Sequence, residues 1–122
     1  MWKYSQSTGE LLNDAGEHVA FGYSGAQPDG YNNPEMQSVP DVGPIPQGRW
    51  TIVGPPVDMH PEGPYVLHLA PDPGTNTFAR SGFLVHGDTA PPGNASHGCI
   101  IFARNIRQIV WESGDTDLLV TA

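Results

Sequence analysis

The chain has 122 residues, with thirteen Asp and Glu against five Lys and Arg and a net charge of −8. That length supports one domain with a real core, 1–122, and that charge excludes a nucleic-acid-binding or anionic-membrane surface. Gly (15) and Pro (13) interrupt a sequence that is 38% apolar, which predicts a turn-rich, mainly β fold without long helices.

Trp2 to Gln6 and Leu11-Leu12 read as a short hairpin around Thr8-Gly9, and Asn13 to Gly16 as a second turn. His18 to Tyr23 reads as a strand. From Gly25 to Gln47 the chain carries Pro28, Pro34, Pro40, Pro44 and Pro46; a loop this long in a small domain is functional or pinned to the core. Arg49 to Val53 is expected as a strand ended by Gly54-Pro55-Pro56, and Tyr65 to Leu69 as one closed by Pro71 to Gly74. Ser81 to His86 reads as a buried strand that delivers His86 at its end. Ala103 to Ser113 is the one expected helix, with Ile106, Ile109 and Val110 on its apolar face and Gly114 as its stop. Leu118 to Val120 closes the fold. No run approaches the length of a membrane span. Met1-Trp2-Lys3-Tyr4-Ser5 lacks the apolar centre of a signal peptide, so a target outside the cytoplasm would be reached by another route.

The chemistry concentrates in Phe83-Leu84-Val85-His86-Gly87-Asp88 and Ser96-His97-Gly98-Cys99-Ile100. Cys99 is the only cysteine, so it has no internal disulfide partner. A thiol attacks as the thiolate, and a neighbouring imidazole is the usual way to generate one near neutral pH. His86 arrives from a separate strand end, and either the Gly87 carbonyl or the Asp88 carboxylate can fix its tautomer. Glycines beside the sulfur leave room for amides to face an oxyanion. A helix start shortly after Cys99 is expected to lower the thiol pKa. Two other readings compete: Cys99 as a small buried apolar residue, and His86, His97, Cys99 and Asp88 as zinc ligands. The two-residue spacing of His97 and Cys99 and the single cysteine weigh against zinc.

His86-Gly87 followed by Ser96-His97-Gly98-Cys99 resembles the signature of YkuD-type L,D-transpeptidases. Gly22 to Gly25, Asn32-Asn33-Pro34, Val42 to Gly48, Pro71 to Pro73 and Arg80 to Phe83 extend the likeness along nearly the whole chain. They are similar to the compact branch formed by type VI secretion effectors with L,D-transpeptidase-like activity. The His86–Ser96 gap is shorter than in housekeeping members, and the arginine those enzymes carry soon after the cysteine is replaced, with Ile101 and Phe102 following Ile100.

The resemblance implies a compact YkuD-like β-sandwich or open barrel with one short helix near the active site. It implies Cys99 as nucleophile and His86 as base, with backbone around His97, Gly98 and Cys99 as oxyanion hole. Ser96, His97 and Gly87 would shape the pocket, with Arg80, Ser81 and Asp88 as candidate substrate contacts and Arg104 as another source of a cation. The implied substrates are peptidoglycan stem tetrapeptides. The implied reaction is L,D-carboxypeptidation or D-amino-acid exchange through a thioester, with neither metal nor organic cofactor. The implied partners are a secretion apparatus component and a cognate immunity protein; the implied place of action is the periplasm of a target cell. A non-catalytic cell-wall-binding module, a metal-dependent hydrolase and a cytoplasmic cysteine hydrolase are the alternatives.

Overall fold

The computed structural model describes residues 1–122. Nine strands and one α-helix follow in the order β1 (Trp2–Ser5), β2 (Glu10–Leu12), β3 (His18–Phe21), β4 (Tyr23–Ser24), β5 (Gly48–Met59), β6 (Gly63–Pro71), β7 (Leu84–His86), β8 (Ile100–Ile101), α1 (Arg104–Glu112) and β9 (Asp117–Thr121). They form one mixed sheet ordered β3-β2-β1-β9-β5-β6-β7-β8-β4. The fold is mainly β, as the composition requires.

The two outermost strands, β3 and β4, are separated in sequence by Gly22 alone. The sheet therefore curls until its edges meet at one residue, without closing into a barrel. The single strand expected over His18 to Tyr23 breaks there because Gly22 lies against the backbone of β8: a Cβ on it would fall 2.1 Å from the Ile101 carbonyl oxygen. Inside the curl, Trp2, Tyr4, Leu11, Ile45, Trp50, Leu67, Phe83, Ile100 and Val120 belong to one buried cluster. Trp50 meets Phe83 edge to face at 5.0 Å, an arrangement that adds about 1 kcal/mol to area burial.

Three further sequence expectations need correction. β5 does not end at Gly54-Pro55-Pro56 but runs on to Met59, with its register to β6 shifting between Val53 and Val57; a bulge accommodates the prolines that cannot donate to the ladder. Of the strand expected over Ser81 to His86, only Leu84–His86 pairs as β7, and Ser81 and Gly82 are exposed. On α1, Ile109 is exposed and Arg107 is buried in its place, beside Ile106 and Val110. The helix stop is at the expected position, with Gly114 following the C-cap Ser113.

The segment between β4 and β5 is pinned, as a loop of that length should be. Ile45 is fully buried, and Gln6, equally buried, donates to its carbonyl at 2.8 Å and to Gln37 Oε1 at 3.1 Å. Gln47 donates back to Gln6 Oε1 at 3.0 Å. This amide chain fixes the loop that forms one wall of the cleft described next.

Candidate active site

β7 and β8 pair in parallel, Val85 with Ile100 and His86 with Ile101. In that register Cys99, just ahead of β8, falls beside Leu84, two positions from His86 along the neighbouring strand. His86 and Cys99 line one cleft of about 360 Å³ together with Glu62, Asp88 and His97. Cys99, Gly82 and His97 also border a second cleft of about 250 Å³, which continues past Ser81 and Arg80 to Asp41. The sulfur thus sits at the junction of two grooves.

His86 is buried, and its Nδ1 lies 2.9 Å from the Gly87 carbonyl oxygen. A carbonyl can only accept, so Nδ1 carries the hydrogen and the lone pair of the neutral ring is at Nε2. Of the two orienting groups the sequence offered, the one engaged is Gly87. Burial lowers the imidazole pKa; the Gly87 bond and Glu62 oppose this, and Arg107 reinforces it. The neutral, proton-accepting form therefore prevails near pH 7.

Cys99 is half-buried, and its Sγ lies 3.7 Å from the Gly82 carbonyl. Burial pushes the thiol up to about 11; the Leu84 amide, which favours the thiolate, only partly offsets this. The expected lowering by a helix N-terminus is absent because β8 intervenes and α1 starts only at Arg104. The resting pair is a neutral thiol and a neutral imidazole.

The turn before the sulfur is built by two hydroxyls. Buried Ser96 Oγ accepts from Gly25 N at 2.9 Å and Gly98 N at 3.1 Å, and donates to the Cys99 carbonyl at 2.6 Å. Ser24 Oγ donates to the Gly98 carbonyl at 2.9 Å and accepts from Ile45 N at 2.8 Å. Because Ser96 takes the Gly98 amide, the amides of His97 and Cys99 are the ones near the sulfur without an acceptor in the protein. Gly98 has φ +138°, and a Cβ there would lie 2.6 Å from Arg80 Nη2 and 3.1 Å from Phe83 Cε1. Only glycine fits both the angle and the space.

Arg80 borders the second cleft, yet its guanidinium is turned into the protein. Nη1 donates to the carbonyls of Gln37 and Pro44 at 2.6 and 2.8 Å, Nη2 to those of Gly43 and His97 at 2.8 and 3.3 Å. Four of its five donors are occupied, so it ties the long loop to the cysteine turn and is poorly placed to take a substrate carboxylate. Ser81 lines the same cleft and is exposed. Asp88 accepts from Tyr23 Oη at 2.6 Å, Thr89 N at 2.8 Å and Gly93 N at 3.0 Å. Burial alone would raise its pKa, but those donors outweigh it and hold the carboxyl below the usual range. It orders the loop between the two halves of the motif. His97 is exposed, with Nδ1 3.1 Å from the Asp41 carbonyl, and His86, His97, Cys99 and Asp88 are not gathered into a metal-ligand set. Arg104 lies over the Tyr65 ring at 5.5 Å and borders neither cleft.

Two residues at the site escaped the sequence reading. Arg107 donates to the carbonyls of Tyr65, Pro64 and Phe102 at 2.9, 3.0 and 2.5 Å, and its Nη1 would be 3.3 Å from a Cβ on Gly87. Its signal was a cation on the stripe of Ile106 and Val110. Glu62, at the turn between β5 and β6, reaches the His86 cleft through topology alone, and no local pattern marks it.

A lone thiol and a neutral imidazole in one cleft, with the sulfur at the meeting point of two grooves, make a cysteine–histidine site of the kind suited to acyl transfer. The chain belongs to the Tlde1 domain family, whose model matches residues 18–117. This is a family of type VI secretion effectors, so membership carries a toxin role and delivery into target cells. The matched span includes His86, Cys99 and every residue of both clefts. A search of curated proteins finds no match.

Proposed function

We propose that the chain is a cysteine-dependent L,D-carboxypeptidase and D-amino-acid exchanger that acts on peptidoglycan stem tetrapeptides in the periplasm of target cells. The observation that carries this reading is that Cys99 and His86, its Nδ1 held by the Gly87 carbonyl and its Nε2 left to accept a proton, line one open cleft. As Sγ attacks the carbonyl at the L-centre of diaminopimelate, His86 Nε2 takes the thiol proton. Such general-base assistance contributes about 10² to 10⁴ in rate. The oxyanion is positioned to receive the amides of His97 and Cys99; one such donor is worth about 10² to 10³. His86 then returns the proton to the nitrogen of D-Ala, the C–N bond breaks, and a thioester on Cys99 remains. Water or an amine resolves it. Loss of crosslinkable stem peptides would weaken the wall, and a producer cell would need an immunity protein that covers the cleft.

The test is the product profile of tetrapeptide muropeptides. Tripeptide and free D-Ala are expected with the wild type and neither with Cys99→Ala. Binding without turnover would instead support a wall-binding module. Turnover that survives thiol alkylation but not chelation would support a metal hydrolase. Equal toxicity from cytoplasmic and periplasm-directed protein would count against a wall substrate.

A further inference from the structure

The cleft that holds His86 has an uneven charge. No Lys or Arg lines it, and its two carboxylates are Glu62 and Asp88. Asp88 is occupied by the Tyr23 hydroxyl and the Thr89 and Gly93 amides. Glu62 differs: its carboxylate has neither a hydrogen-bond partner nor an ion pair, and it is half-buried in the cleft wall, where its charge reaches both His86 and Cys99. An unpaired charge in a concave, partly desolvated wall acts more strongly than one on open surface.

Whatever resolves the thioester must enter on this side, because it must pass its proton to His86 Nε2. Water is neutral. A free D-amino acid attacks as the unprotonated amine, and in that form it carries a net negative charge from its carboxylate. We infer that Glu62 selects the nucleophile, disfavouring free D-amino acids and so directing the Cys99 acyl-enzyme toward water. This rests on the acyl-transfer reading above. In hydrolysis a water oxygen forms the C–O bond, the C–S bond breaks, and the water proton reaches sulfur through His86. In exchange the amine nitrogen forms the C–N bond, and its proton follows the same path.

The experiment measures the ratio of exchanged tetrapeptide to tripeptide, with D-methionine or D-methioninamide as the added amine. Both products come from one intermediate, so the ratio of their initial rates, taken before the exchanged tetrapeptide is itself cleaved, is independent of how fast acylation occurs. Glu62→Gln keeps the side-chain shape at the turn between β5 and β6, and an unchanged melting temperature checks its fold. At low ionic strength it is expected to raise the ratio for D-methionine by about 3- to 10-fold and to leave the ratio for the uncharged-tail amide unchanged. Added salt is expected to raise the wild-type ratio for D-methionine and to leave that of Glu62→Gln flat. An unchanged D-methionine ratio, or an equal rise with both amines, overturns the selection by charge while leaving the carboxypeptidase reading intact. Absence of any Cys99-dependent product in the wild type overturns both.

Discussion

The resting state of the nucleophile is the property most open to direct attack. With the thiol at about 11 against an ordinary 9.0, the thiolate fraction at pH 7 falls by a factor of about 100, since 11 − 9.0 is 2 logarithmic units. His86, depressed below 6.5 by burial, offers no stored imidazolium to hold the thiolate. Iodoacetamide should therefore alkylate Cys99 about 100-fold more slowly at pH 7 than an ordinary exposed thiol, before any correction for intrinsic nucleophilicity. The rate should climb with pH toward about 11 and show no plateau between pH 5 and 8. His86→Ala should leave alkylation nearly unchanged and yet abolish turnover, because the imidazole works only while the sulfur attacks. Turnover should behave differently from alkylation: kcat/KM should rise through the depressed His86 pKa below 6.5 and be flat at neutral pH. The assay is single-exponential labelling followed by intact mass, from pH 5 to 11. An alkylation plateau already established at pH 6 to 7 would mean a preformed thiolate–imidazolium pair and would refute this account.

Other consequences are structural. Arg80→Lys keeps the charge but not the fork that reaches four carbonyls; a loss of about 3 kcal/mol or more in urea unfolding is expected. Ser96→Ala leaves the Gly25 and Gly98 amides and the Cys99 carbonyl without their partner, and should cost about 2 kcal/mol in the same assay. The depressed pKa of buried His86 means the unfolded state binds its proton first as pH falls. Its contribution to stability is therefore full above 6.5 and is lost as pH drops through the folded value. Melting temperatures measured from pH 7.5 to 5 should show that acid-side loss, with a shallower slope in His86→Asn.

Much of the site was legible because its chemistry is local in sequence. His86-Gly87 and Ser96 to Cys99 flank two strands that pair directly, so a motif confined to residues 86–99 maps onto one piece of structure. The helix and its stop were legible from periodicity and Gly114. What escaped was long-range. Gly54-Pro55-Pro56 reads as a strand end, and only the partner strand β6 shows that a bulge lets β5 continue. Arg80 beside the motif reads as a substrate contact, and only the return of residues 37–44 against it reveals three of its four carbonyl acceptors, the fourth being His97. The thiol pKa was read from a nearby helix start, whereas burial, which depends on the whole fold, decides it.

The two buried arginines explain both the rigidity of the site and its charge. Arg80 packs against Gly98 and Arg107 against Gly87, one gathering the carbonyls of the long loop and His97, the other those of Pro64, Tyr65 and Phe102. Such irregular segments have no ladder to satisfy their carbonyls, and a guanidinium supplies several donors in a fixed plane. The five cations of the chain are thus divided, with two engaged internally and Lys3, Arg49 and Arg104 left at the surface against thirteen carboxylates. The cations that would be expected to attract an anionic substrate are consumed in building the cleft, and Glu62 stands in it unopposed. A site arranged in this way holds its nucleophile neutral and its acceptor side negative, which favours water over an anionic amine as the second substrate.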